Sequence, residues 1–331
     1  MAETINVAIG FRADEAVVNA IKAVDPRINV ITLPQLGSFR TIEPEAKAEA
    51  LAAMPGVDIL LGQGGIPVEY YDAATNLKWV QVINAGVDRM AKEGLLNRGF
   101  QVANISGLTA PAIAEWVIGA MVMLQKGFHL SVRDQAEHKW SRRFTGELRG
   151  KTLGIAGMGA IGRETAKRAR AFDMRIVASR RTAPPGSTDP DCDELIPYSA
   201  LDRLLEQSDY LALCVPLTPE THHMIGEAQL KKMKPTAHLI NIARGTVVDQ
   251  EALIRGLREG WIAGAALDVT DPEPLPPESE LWDLPNVIIT PHISGSIENY
   301  VGRANEIFVD NLRRHIAGQP LRNLVKPDLG Y

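Results

Sequence analysis

Three residues whose chemistry suits a small polar substrate each stand at the end of a short apolar run. Arg244 follows HLINIA, Asp268 closes GAALD, and His292 follows NVIITP. A guanidinium grips a carboxylate through its planar fork and can polarise an adjoining carbonyl. An imidazole changes charge near neutrality and can hand a proton to an oxygen. Ligands of open parallel sheets sit beyond the carboxyl ends of the strands, so if these runs are strands of one sheet the three side chains should converge on one bound ligand. Asp268 admits two readings: it accepts from a carboxamide of the cofactor bound at this edge, or it caps backbone amides at its own strand end.

A dinucleotide is suggested by the stretch LGIAGMGAIGRETAKRARAFDMRIVASRR, Leu153 to Arg181. Gly157, Gly159 and Gly162 form G-x-G-x-x-G between a strand pattern and a helix pattern, the context that turns a weak motif into a strong one. The first glycine permits the tight turn, the second admits a pyrophosphate close to the backbone, and the third lets helix pack on strand. The pyrophosphate would lie on the helix N-terminus, at the amides of Ala160 and Ile161. About 20 residues beyond the last glycine, where an acid would accept from the adenosine ribose, stand Ser179, Arg180 and Arg181. A carboxylate would repel a 2′-phosphate, whereas guanidinium groups bind one through charge-assisted pairs. The expected cofactor is therefore NADP(H); the bland alternative is a solvated arginine pair.

These residues need a scaffold, and the chain supplies two. β-branched runs alternate with helical patterns throughout, the signature of parallel sheets covered on both faces. A first set of strands is expected at residues 6–10, 29–33, 58–62, 80–83 and 101–105. After a helix over 110–125, a second set is expected at 152–156, 175–179, 210–215, 238–242, 264–269 and 286–290, and this set owns the glycine turn. A last amphipathic pattern over 298–316 should return to the first domain. The fold expected is α/β with two doubly wound parallel-sheet domains: a Rossmann cofactor domain over 107–295, and a smaller flavodoxin-like substrate domain made of 1–106 and 296–331. Two connections between them imply a hinge and an inter-domain cleft.

Composition narrows the partners. The chain has 331 residues, with 35 Lys and Arg against 40 Asp and Glu, a formal charge of -5. No general basic surface is left for nucleic acid. The longest apolar run, 113–124, is short for a bilayer span and contains Glu115. MAETINVAIG lacks the basic and apolar regions of a secretory signal. Two cysteines, Cys192 and Cys214, favour a reduced, cytoplasmic protein over a disulfide framework. No metal site is expected.

With the blocks AGVD (85–88), VPLTPET (215–221), NIARGTVVDQEAL (241–253), ALDVTDPEPLP (266–276) and NVIITPHISG (286–295) added to the glycine turn, the chain resembles the D-isomer-specific 2-hydroxyacid dehydrogenase family over nearly its whole length. The resemblance implies that Arg244, Glu273 and His292 are catalytic, and that Val215 and Pro216 line the cofactor. Glu273 would sit beside His292, where a carboxylate stabilises an imidazolium. It implies further that amides near Gly64–Gly65 (in GQGG) and Gly86–Val87 (in NAGVD) hold the substrate carboxylate, although ordinary tight turns would also use these glycines. Asp88 reads as a cap for the helix that follows.

The resulting expectation is NADPH-dependent reduction of a small 2-keto acid such as glyoxylate or hydroxypyruvate, with His292 as general acid. Larger aryl substrates stay open, because the glycine-rich loop at Gln63 departs from the family's commoner pattern. A formate dehydrogenase would place an amide where Glu273 stands. A phosphoglycerate dehydrogenase would carry an NAD-selecting acid in place of Arg180, and no regulatory domain is expected here. The rival from another class is a dinucleotide-sensing, corepressor-like binding module without turnover. The segment 129–147, with Trp140, has neither strand period nor glycine-turn chemistry and is expected to be an exposed arm; the resemblance implies a homodimer through it.

Overall fold

In a computed structural model, which describes residues 3–37 and 43–329, the alternating pattern forms two wholly parallel sheets. The chain divides into one unit of Met1–Leu108 with Glu298–Tyr331, and another of Thr109–Ile297.

The first unit holds β1 (Ile5–Ile9), β2 (Ile28–Thr32), β3 (Ile59–Gly62), β4 (Trp79–Val82) and β5 (Gln101–Ala103), in the order β2-β1-β3-β4-β5. This is the flavodoxin-like order. β3 and β4 are buried at every position because helices cover both faces. The helix Tyr300–Ile316 supplies one cover: Phe308 and Leu312 are fully buried and pack in one cluster with Val7, Ile9 and Trp79. Burying a side chain such as Phe308 is worth roughly 1.5–3 kcal/mol. Polar contacts fix the helix as well, since Tyr300 donates to the Ile83 carbonyl at 2.6 Å and Asn311 donates to the Gln81 side chain at 2.8 Å.

The second unit holds β6 (Thr152–Ala156), β7 (Arg175–Arg180), β8 (Glu194–Pro197), β9 (Tyr210–Leu213), β10 (His238–Asn241), β11 (Gly264–Leu267) and β12 (Val287–Ile289). Their order is β12-β11-β10-β9-β6-β7-β8. It is the doubly wound Rossmann order with one strand added, and its strand order reverses between β6 and β9. Registers align the strand ends: Ala156 lies beside Ser179 and Leu213, Leu213 beside Asn241, Asn241 beside Leu267, and Leu267 beside Ile289.

Three local expectations are corrected. β8 was not anticipated; it is a four-residue edge strand ending in proline, too short to carry a period. The first part of the expected arm is a helix, Phe128–Ala136, with no buried residue and therefore no apolar stripe to read. The helix Asp88–Lys92 takes Val87 as its N-cap, with no side-chain cap bond, so Asp88 is its first helical residue and not its cap.

Candidate active site

One edge of the larger sheet collects the chemistry. Because every strand is parallel, the residues after β7, β6, β9, β10, β11 and β12 emerge along the same side. From β11 to β7 is four inter-strand steps, roughly 19 Å at about 4.8 Å each, a span suited to an extended dinucleotide.

Near the middle stands the glycine turn. Gly157 has φ +105°, and a Cβ there would lie 2.6 Å from the Cys214 carbonyl oxygen. Both requirements exclude a side chain. The amides of Gly157 and Met158 donate to the Ser179 carbonyl at 3.1 and 2.9 Å, tying the turn to the end of β7. Gly159 caps the helix Ala160–Arg170 without a side-chain bond, and no atom lies within 4 Å of where its Cβ would be. The first helical amides, at Ala160 and Ile161, thus face open space that a phosphate could fill. Gly162 is buried, and a Cβ on it would strike the Gly157 carbonyl. The local residues therefore fit a dinucleotide pyrophosphate.

After β9, Val215 is half-buried against the core, and Pro216 is exposed with its carbonyl held by the Thr221 hydroxyl at 2.7 Å. At the end of β7, Ser179 is buried and Arg181 exposed. Arg180 is braced: its Nη1 donates to Asp189 at 3.3 Å. Asp189 is itself buried, and Arg163 donates to both of its oxygens at 2.8 and 2.7 Å. The Arg163 guanidinium holds the Asp189 carboxyl below its ordinary range. Arg163, Asp189 and Asp191 had no motif to announce them, since their meeting depends on how the loop 182–193 folds.

The other end of the edge is built from three consecutive strands. Arg244 follows β10 and enters a short 3-10 turn, Gly245–Val247. Buried Asn241 shapes that turn, accepting from the Ala243 amide at 3.0 Å and donating to the Arg244 carbonyl at 3.0 Å. A Cβ on Gly245 would lie 1.9 Å from the Thr270 carbonyl oxygen, so this glycine permits backbone to meet backbone between the Arg244 turn and the loop that carries Glu273.

His292 and Glu273 meet. Their Nδ1 and Oε2 atoms are 3.1 Å apart, and Glu273 Oε1 accepts from the Thr270 amide at 3.4 Å. His292 has φ +54°, an uncommon backbone state for a residue with a side chain. Asp268 secures the segment around it. Its carboxylate accepts from the Thr290 hydroxyl at 2.5 Å and from the Ile293 and Ser294 amides at 2.9 Å each. Of the two sequence readings for Asp268, backbone capping is thus plainly present. The same residue also lines, with Glu273, His292, Thr290, Leu275 and Trp282, a cavity of about 450 Å³, within the range of ligand pockets. Apolar Leu275 and Trp282 were not singled out from the sequence, where nothing separates them from ordinary loop residues.

In the first unit, Gly64, Gly65, Gly86 and Val87 all follow strand ends. Gly64 differs from expectation, since its amide donates to the Asn84 side chain at 2.9 Å instead of standing ready for an acid. Val87 is buried at the start of its helix. Among the described residues, no group of three or more His, Cys, Asp or Glu side chains is placed to hold a metal ion, and no helix is long and apolar enough to cross a membrane.

Residues 118–294 match the model of the D-isomer specific 2-hydroxyacid dehydrogenase, NAD binding domain. The chain belongs to this family. Membership of the 2-hydroxyacid dehydrogenases makes it an oxidoreductase with a nicotinamide dinucleotide cofactor. The chain is 38% identical over 300 residues to a glyoxylate reductase of Thermofilum pendens, covering 86% of each chain. It is 33% identical over 297 residues to a D-3-phosphoglycerate dehydrogenase of Methanocaldococcus jannaschii, covering 88% of this chain and 56% of that one. Among solved structures it is similar to an NADPH-dependent glyoxylate/hydroxypyruvate reductase of Sinorhizobium meliloti in complex with NADP and sulfate, with a TM-score of 0.83 and 25% identity over 99% of this chain and all of that one.

Proposed function

We propose that this 2-hydroxyacid dehydrogenase reduces a small 2-keto acid, glyoxylate or hydroxypyruvate, with NADPH. The observation that carries the reading is the His292–Glu273 pair at 3.1 Å, placed on the same sheet edge as the glycine turn and the Arg180–Arg181 pair. The glyoxylate reductase of T. pendens and the NADP-bound reductase of S. meliloti support it.

The nicotinamide supplies the hydride when bound. His292 gives its proton to the carbonyl oxygen, and Glu273, 3.1 Å from its Nδ1, holds the ring in place. Arg244 takes the substrate carboxylate in its fork and polarises the carbonyl. Asp268 accepts from the nicotinamide carboxamide in addition to its backbone partners. Arg180 and Arg181 bind the 2′-phosphate.

The test is to mix protein, NADPH and glyoxylate and follow the absorbance of the reduced nicotinamide, then repeat with NADH and a panel of 2-keto acids. Turnover of glyoxylate or hydroxypyruvate with NADPH is expected. Dinucleotide binding without turnover across the panel would replace this reading by that of a dinucleotide-sensing binding module. For the cofactor, Arg180→Asp with Arg181→Ala should weaken NADPH much more than NADH; equal losses would remove the 2′-phosphate assignment.

The same reading includes a homodimer. Trp140 and Phe144 are 95% and 104% exposed, joined by Phe128 and Val132 on the preceding helix, and apolar groups so displayed are suited to a protein partner. The two free cysteines support a reduced, cytoplasmic setting.

A further inference from the structure

Arg180 is held by a residue that no motif marks. Its Nη1 donates to Asp189 at 3.3 Å, while its Nε is buried without an acceptor. Asp189 therefore fixes the end of this side chain. Asp189 is in turn immobile: its side chain is 4% exposed, and Arg163 engages it through two parallel hydrogen bonds of 2.8 and 2.7 Å. Arg163 also donates to Asp191 at 2.5 Å, and the Asp191 amide donates back to Asp189 at 3.1 Å. Arg163 belongs to the first turns of the helix that opens at Gly159. The cluster thus locks the loop 182–193 to the glycine-turn helix and presents one edge of the Arg180 fork, with Nη1 already committed.

We propose that Asp189, braced by Arg163, is a positioning residue for 2′-phosphate recognition, aiming Arg180 so that its remaining donors meet the phosphate. The proposal rests on the NADPH reading above. A free arginine must give up much rotamer freedom when it binds, and one already held gives up less. Asp189 carries a negative charge toward a site meant for an anion, which by itself disfavours phosphate. The Arg163 and Arg180 guanidinium groups, paired with the Asp189 and Asp191 carboxylates, offset that charge within the cluster.

That opposition makes the sign of a single substitution decisive. In Asp189→Asn the charge is lost and the shape kept. If Asp189 only repels the ligand, 2′,5′-ADP should bind more tightly; if it positions Arg180, binding should weaken. Calorimetry with 2′,5′-ADP and 5′-AMP reads this without turnover. The expected result is a Kd for 2′,5′-ADP raised roughly tenfold, on the scale of one charge-assisted hydrogen bond, with that for 5′-AMP changed less than twofold. In catalysis KM for NADPH should rise while kcat holds. Tighter or unchanged 2′,5′-ADP binding, or equal losses for both nucleotides, would overturn the proposal. Arg163→Lys, which keeps the charge but loses the fork, should show the same selective loss in weaker form; it carries the test alone if D189N does not fold, with the same outcomes for and against. Arg180→Ala separates the two ideas: if it leaves the ratio of 2′,5′-ADP to 5′-AMP affinity unchanged, the 2′-phosphate reading itself fails.

Discussion

The backbone amide of His292 donates to the carbonyl of Asp268 at 2.9 Å, while the Asp268 carboxylate accepts from Ile293 and Ser294 just beyond. The imidazole is thus carried on a left-handed residue clasped by one buried aspartate. Asp268→Ala would leave the Thr290 hydroxyl and two amides without their acceptor; the Ser294 amide is buried, and a buried group left unsatisfied costs about 1–3 kcal/mol, with the half-buried Thr290 hydroxyl and the exposed Ile293 costing less. A loss of stability on the order of 3 kcal/mol is expected in urea unfolding. Asp268→Asn, which keeps an acceptor oxygen, should lose less.

His292→Ala should lower kcat by roughly 10²–10⁴, the usual worth of a positioned general acid. NADPH affinity, followed by nicotinamide fluorescence, should change less than twofold. Near-normal turnover would remove His292 from the chemistry.

The glycine turn separates folding from binding. Gly159→Ala meets no atom within 4 Å, so its thermal midpoint should stay within a few degrees, while dinucleotide affinity falls as the methyl enters the phosphate space. Gly157→Ala meets the Cys214 carbonyl at 2.6 Å in a backbone state that disfavours side chains, and its thermal midpoint should fall. Equal affinity for wild type and Gly159→Ala would argue against the pyrophosphate position.

Acid should weaken the fold through His238. This ring stacks on Tyr210 with centroids 5.2 Å apart, its Nδ1 lacks an acceptor, and burial pushes it from 6.5 down to about 4. The unfolded chain takes up the proton first, so the stability due to the neutral ring is full above pH 6.5 and lost as pH falls toward 4. A difference of that size is worth about 3 kcal/mol by linkage. His238→Phe, which preserves the stacking, should flatten stability measured between pH 6.5 and 4.

Light scattering should report a dimer for the wild type. Trp140→Ser with Phe144→Ser should shift it toward monomer with little change in thermal midpoint, because neither side chain is buried within the chain. A wild-type monomer would make the segment an unpartnered surface.

The strands that carry the site were legible because each is a short, mostly apolar run that ends where its chemistry begins. Thr152–Ala156 follows the pattern residue for residue. Other strands stop earlier than their expected ends, as after Leu267, because the chain leaves the ladder while the side chains of Asp268 and Val269 stay buried. The helix Phe128–Ala136 was hidden, since a helix with no buried face leaves no period. In the site, Arg244, Asp268 and His292 could be read from their positions after strands, whereas Glu273 needed the family resemblance. Asn241 was present within NIARG but its turn-shaping role appears only with the hydrogen bonds. The Asp189 brace joins residues 26 apart through a loop whose path no local pattern specifies.

The first unit is interrupted, and its last helix buries Phe308 and Leu312 against strands made some three hundred residues earlier. During synthesis the opening sheet therefore waits, one face only partly covered, until nearly the entire polypeptide has left the ribosome, while the intervening unit is continuous and can close on its own. Birth order and completion order are reversed, so the part translated first is the part finished last. A released chain that ends before residue 300 should display a protease-resistant middle and a digestible beginning.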